Sequence, residues 1–439
     1  MTHKLRIAGL ASVSALALAL TACQGGGAPA TPASTPNAPA STGAGQAVTL
    51  TWWHNMNSDP GMSYWAGVAK DFEAAHPGVT IDVQVIQNED LRSKLKTVLQ
   101  SPSTAPVIFQ QWGGGEMADQ VKAGYLEDIT AATADSVNTI GAGNVSGWQV
   151  DGKTYGLPYT LGPEGIYYSK DLFQKAGVDA TTIKTLDDLN AAVQKLKDAK
   201  IQPIAVGAKD AWPAGHWYYN FALRACSTDV MKQTVSTLKF DDPCWLTAAQ
   251  NLKTFADTQP FNRGFLTTAA QQGAGSAAGL VANHRAAMDL MGVWEPGVIG
   301  GLTPDKKDLP DLGWFPFPQI PGGQGDPNAA MAGGDGMSCY ANAPAACAEF
   351  LNYMVSDDVQ AKYAATGSLP SNPNGSSGLT NPVLQQIAAA SKNFTFTQLW
   401  LDTAYGASVG NAINSGVVNL LAGKGTPEDL VKAMNNPPK

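Results

Sequence analysis

Charge is scarce in this chain of 439 residues: Asp, Glu, Lys and Arg make up 15% of it, and the formal balance is negative at -8. With no basic surplus to neutralise phosphates, nucleic acid is not an expected partner. Reactive groups are equally thin. The five His are scattered and the five Cys show no CxxC spacing, so no metal site is expected. No Walker A, GxSxG, HExxH or EF-hand pattern occurs, and GAGSAAG at Gly273 misses the dinucleotide-binding spacing by one residue, so no cofactor is expected either. These gaps remove the standard catalytic signatures. They do not remove every enzyme, because a glycosidase needs only two carboxylates on any scaffold.

Long apolar runs are also missing, except from Ile7 to Leu20, which follows Lys4 and Arg6 and is too short to span a bilayer. A charged start, an apolar middle and a small-residue exit describe an export signal over residues 1–22. Leu20, Thr21, Ala22 and Cys23 resemble the bacterial lipobox, in which cleavage before the cysteine is followed by lipidation of Cys23; Thr at position 21 departs slightly from that pattern. Residues 23–46 are almost all Gly, Ala, Pro, Ser and Thr, a tether that cannot build a core and reaches at most about 70 Å at about 3.1 Å per residue. More than one acyl chain on Cys23 gives a firm membrane hold. Loss of the signal with Lys4 and Arg6 takes the net charge from -8 to -10.

Beyond Cys23, Cys226, Cys244, Cys339 and Cys347 form an even set in a chain bound for an oxidising compartment. Three pairings are possible. The local ones, Cys226 with Cys244 and Cys339 with Cys347, are preferred because they close short loops, each contributing on the order of 3 kcal/mol.

About 390 residues follow the tether, enough for two cores and large for one. VTLTWW (Val48–Trp53) alternates like a strand, and Trp65, Val68, Phe72 and Ala75 line one helical stripe that Pro77 and Gly78 end. VTIDVQVI is a second strand, Leu91, Leu95, Val98 and Leu99 a second helical face, PVIFQQW a buried strand and GGGEMADQVKAG a helix. Strand and helix in alternation predict an α/β fold with a mostly parallel sheet covered on both faces. A second set begins near Ile166, with a capping box at Thr185 and Asp188, a strand at IQPIAV and further strands at AAMDLMGVW and GWFPFP. GPEG near Gly162 and the Gly-rich stretch Pro321–Gly336 are places for the chain to cross between cores.

Aromatic residues are the strongest positive signal. Trp52, Trp53, Trp112, Trp148, Trp212, Trp217, Trp294 and Trp400 fall largely at strand ends or in Gly/Pro-rich turns, where ligands of open α/β sheets bind. Polar neighbours accompany them: His54, Asn55, Gln111, Asp210, Glu295 and Asp402. Indole faces beside hydrogen-bonding rims suit sugar rings, which carry an apolar C–H face and peripheral hydroxyls. The competing reading for any one Trp is ordinary core packing.

TWWHN, IFQQWGGGEMADQVKAGYLEDIT, YGLPYT, IYYSKDLFQKAG, WPAGHWYYNFALRACS, AAMDLMGVWEPGVI, GGDGMSCYANAPAACAEFLNYM and GSLPSNP are similar, in order, to the extracellular solute-binding lipoproteins of bacterial carbohydrate ABC importers, relatives of maltose-binding protein. The resemblance covers nearly the whole chain. It implies a periplasmic-binding-protein-like fold of two lobes, each with a mixed, mostly parallel sheet flanked by helices, joined by a hinge, lobe one being 47–158 with 336–374 and lobe two 159–335 with 375–439. It also implies a monomeric receptor, outside the cytoplasm and held to the membrane by lipid, that captures a sugar and delivers it to the transmembrane subunits of a permease. Trp53, His54, Asn55, Gln111, Trp112, Trp212, Trp294, Glu295, Asp335, Trp400 and Asp402 are the implied ligand-binding residues, with Trp212 and Trp294 as stacking platforms. The number of Trp points to an oligosaccharide. A surface-anchored glycoside hydrolase using Glu164 with Glu295, or Asp335 with Asp402, is the alternative from another class.

Overall fold

The computed structural model describes residues 47–438; the export signal, Cys23 and the tether lie outside them. Among the described residues twelve strands are formed: β1 (Val48–His54), β2 (Val79–Val85), β3 (Ile108–Gln111), β4 (Gln149–Val150), β5 (Lys153–Thr154), β6 (Leu157–Pro163), β7 (Gly165–Ser169), β8 (Ile204–Ala205), β9 (Met288–Met291), β10 (Leu312–Phe315), β11 (Ala329–Cys339) and β12 (Phe396–Leu399). One sheet runs β12-β11-β3-β1-β2 with β6 also paired to β11, a second runs β10-β7-β9-β8, and β4 and β5 form a small hairpin.

The helical stripes lie where periodicity predicts them. Helix Gly61–Ala75 buries Trp65, Val68, Ala69 and Phe72, although Ala75 stays exposed. Helix Asn88–Val98 buries Leu91 and Leu95. Helix Leu186–Asp198 starts on the expected capping box, with Thr185 and Asp188 bonded reciprocally.

Three buried clusters organise the described residues: two main cores and a smaller one around Tyr167, Trp212, Val281, Trp314 and Leu384. Trp52, Trp65, Phe72, Phe109, Trp148 and Phe350 belong to the first, and Trp52 meets Trp65 and Phe350 edge to face at 6.4 and 5.0 Å. Trp217, Phe221, Trp245 and Phe255 belong to the second. First-core members run to Tyr159 and resume at Met337, while second-core members include Ile166 and Met331. The chain thus passes from one core to the other between β6 and β7 and back along β11. Cys226 is joined to Cys244 within the second core, and Cys339 to Cys347 within the first.

The sheets are less parallel than the strand and helix alternation suggests. β1 with β2, β1 with β3, β11 with β12 and β8 with β9 are parallel. β11 with β3, β11 with β6, β7 with β10 and β7 with β9 are antiparallel. The reason is the crossing itself: β6, β7 and β11 carry the chain between the cores and pair in the reverse sense when they arrive, which local periodicity does not encode.

Candidate functional site

A cavity of about 440 Å³ opens where the loops after β1, β3 and β9 meet the start of helix Trp212–Ala225 and the segment after β12. Its position beyond the carboxyl ends of strands is where open α/β sheets place ligands.

One wall is aromatic. Trp212 is the first residue of helix Trp212–Ala225 and His216 lies one turn on, so their rings share a face, 5.0 Å apart. Trp294, which precedes helix Glu295–Leu302, meets Trp212 at 6.3 Å and Trp400 at 5.4 Å, and Trp400 stacks on His216 at 5.5 Å. Four rings from three separate segments therefore make one continuous surface. Gly333 of β11 makes room for it, since a Cβ there would strike the Trp400 ring at 2.5 Å. His216 is fixed from behind: its Nδ1 is bonded to the Glu164 carboxylate, and Asn220, a further turn along the helix, donates to Glu164 at 2.6 Å. The indole N–H groups of Trp294 and Trp400 have no acceptor among the described residues.

A second part of the lining is polar and ionised. Arg92 donates to Asp402 at 2.8 Å and to Glu116 at 2.6 Å, and its guanidinium lies 4.9 Å from the Trp112 ring centre. Burial pushes the Asp402 carboxyl up, but Arg92 overcomes it and holds the group below the usual carboxylate range. Glu89 is pushed up to about 7 by burial, against the pull of Arg92. Asn88 donates to Glu89 at 3.1 Å and accepts from Asn55 at 2.8 Å. Asp335, on β11, is also pushed to about 7 by burial, opposed by hydrogen bonds from Trp112 and Gln110; the Gln110 amide reaches it at 2.8 Å. At the rim, Asp210 accepts from the Ala270 backbone N–H at 2.7 Å, which pins the loop carrying Gln271 and Gln272.

Of the eleven residues expected to bind ligand, Asn55, Trp112, Trp212, Trp294, Asp335, Trp400 and Asp402 line this cavity, and Trp53, His54, Gln111 and Glu295 do not. Strand alternation explains the first two. Leu50, Trp52 and His54 are the buried positions of β1, so His54 is turned into the first core, 4.4 Å from the Trp52 ring, where burial lowers its pKa to about 3. Trp53 points the other way and packs, half-buried, on the same core. Gln111 braces the turn after β3: its carbonyl accepts from the backbone of Trp112 and Gly113, and its amide donates to Gln120. Glu295 is fully buried at the start of its helix, beside Asp289, and burial with that like charge raises its pKa well above the usual range.

The same facts bear on the hydrolase reading. Neither Glu164 nor Glu295 lines the cavity, Asp402 is engaged by Arg92 and Asp335 by Gln110. Sequence reasoning missed Arg92 and Glu89. Both lie on helix Asn88–Val98, where the apolar face of Leu91, Leu95, Val98 and Leu99 is the periodic signal and the charged positions between carry none.

A model of the bacterial extracellular solute-binding protein family matches residues 57–361. An uncharacterised ABC transporter extracellular-binding protein of Pyrococcus horikoshii is 25% identical over 96% of this chain and 92% of its own length. Among solved structures, a chitin oligosaccharide binding protein is 25% identical with a TM-score of 0.79, over 89% of this chain and 98% of that one. A protein described in work on xylan utilisation by Caldanaerobius polysaccharolyticus is 24% identical with a TM-score of 0.81, over 89% of this chain and 99% of that one. The chain belongs to the bacterial extracellular solute-binding proteins, a family of extracytoplasmic binding proteins and not of enzymes.

Proposed function

We propose that this protein captures a saccharide, of oligosaccharide size, between two lobes and hands it unchanged to the transmembrane subunits of an ABC importer. The observation that carries the reading is the pairing of a four-ring wall, Trp212, His216, Trp294 and Trp400, with a wall of Asn55, Glu89, Asp335 and Asp402. Indole faces take the C–H side of a sugar ring, and carboxylates and amides take its hydroxyls. The cavity's size and its multiple indoles suit more than one ring. Support also comes from the relatives, one described as an ABC transporter extracellular-binding protein and another as a chitin oligosaccharide binding protein.

In this reading residues 47–158 with 336–374 form one lobe and 159–335 with 375–439 the other. Closure is favoured to the extent that the sugar touches both. Each disulfide lies within one core and ties neither core to the other. Both walls come from a single chain, so a monomer suffices. Acylation of Cys23 after signal removal would tether the protein to the membrane surface.

Calorimetric titration with chito-, xylo- and malto-oligosaccharides, with chromatography of the recovered sugar, tests the proposal. It predicts saturable binding of one series and return of intact ligand; absence of binding by all, or release of shortened products, rejects it.

A further inference from the structure

Helix Glu295–Leu302 carries glycine at positions 297, 300 and 301. At Gly301 the backbone is not in the left-handed region, so the glycine is not there to make a turn. A Cβ on it would fall inside the contact shell of the Asp59 carbonyl oxygen, 3.1 Å from the carbonyl carbon and 3.6 Å from Pro60 Cδ. Asp59 and Pro60 follow β1 of the first core, whereas the helix follows β9 of the second. Asp59, Pro60 and Gly61 line the cavity, and so do Gly297 and Val298, one turn before Gly301 on the helix. The two lips of the cleft thus touch backbone to backbone at one end of the cavity, and the contact exists only because position 301 has no side chain.

We infer that Gly301 sets the length of ligand the protein accepts: it lets the Asp59–Pro60 lip close against helix Glu295–Leu302, sealing that end around a short saccharide and stopping a longer one there. This rests on the carbohydrate reading above. A methyl group at 301 would hold the lips apart, because the atom it meets is backbone and cannot swing away. The closed form would then be less populated, and apparent affinity falls with the population of the binding-competent state. The gap would also admit a ring that the wild type turns away.

The test compares wild type with Gly301→Ala and Gly301→Val, titrated with a ladder of chito-, xylo- and malto-oligosaccharides of increasing length. Melting temperature and small-angle scattering are recorded with and without sugar. Gly301→Ala should stay folded but melt somewhat below wild type without ligand, since its methyl group meets the Asp59 backbone. It should bind the shortest ligands on the order of tenfold more weakly, through loss of the closed population. Gly301→Val should lose more. In both, the ratio of long-ligand to short-ligand affinity should rise and the saturated form should be less compact than wild type. Unchanged length preference and unchanged compaction would overturn the inference, whatever the melting temperature. A wild type that binds no saccharide would overturn the carbohydrate reading instead, whereas wild-type binding that Gly301→Ala leaves untouched overturns only the lip contact.

Discussion

The two walls of the cleft are built on different physics. The aromatic wall is an array of rings held by packing: Trp212, His216, Trp294 and Trp400 contact one another at 5.0 to 6.3 Å. The ionised wall is an electrostatic assembly in which one guanidinium, Arg92, bonds Glu116 and Asp402 with Glu89 nearby, so acidic groups outnumber the cation. The first offers surface for a ligand to lie on. The second already spends much of its charge internally, and its members hold one another in place. The lesson is that a residue lining a binding cleft can serve the fold more than the ligand, and that substitutions should separate the two roles.

The largest effect expected is on stability, at the ionised wall. Arg92→Ala leaves Asp402 and Glu116 without their partner in a largely buried setting, and breaking such a pair costs about 3 kcal/mol or more. Chemical denaturation should show the loss even with no ligand present; a variant as stable as wild type would dissolve the contrast between the walls. Next comes Trp294→Ala, which should weaken saccharide binding by about 2 kcal/mol, roughly thirtyfold, beyond whatever its lost packing costs in stability. Equal affinity by calorimetry would remove Trp294 from the ligand surface. Asn55→Ala deletes a neutral hydrogen-bonding group and should cost about 1 kcal/mol of affinity.

A pH effect completes the series. Asp335 and Glu89 titrate near 7 in the folded protein but near the usual carboxylate values when unfolded. Between about pH 4 and 7 the folded state keeps protons that the unfolded state has released, so these two groups make stability decline as pH rises through that window. Asp335→Asn should flatten the decline seen in melting temperature between mildly acidic and mildly alkaline buffers. A slope identical to wild type would show that Asp335 is ionised throughout.

How far the sequence revealed all this differs between the walls. Trp212, Trp294 and Trp400 were legible because aromatic residues at strand ends and in Gly/Pro-rich turns stand out against a period-2 or period-3.6 background. Arg92 was not, because its partners are 24 and 310 residues away and only the folded chain brings them within reach. His54 shows the limit of adjacency: beside Trp53 and Asn55 in sequence, it is turned inward by the alternation of β1. Helix faces and the Thr185 capping box were local and readable. The sense of pairing of β6, β7 and β11 was not, since it depends on where the chain returns after crossing.

Ligand capture by closure is the claim on which the account turns, and small-angle scattering with simultaneous tryptophan fluorescence on the oligosaccharide-titrated protein tests it most directly. One oligosaccharide series should change the indole emission and shrink the radius of gyration along the same saturation curve, with the sugar recovered intact. Emission and radius that stay constant with every series, or a sugar returned in fragments, would contradict it.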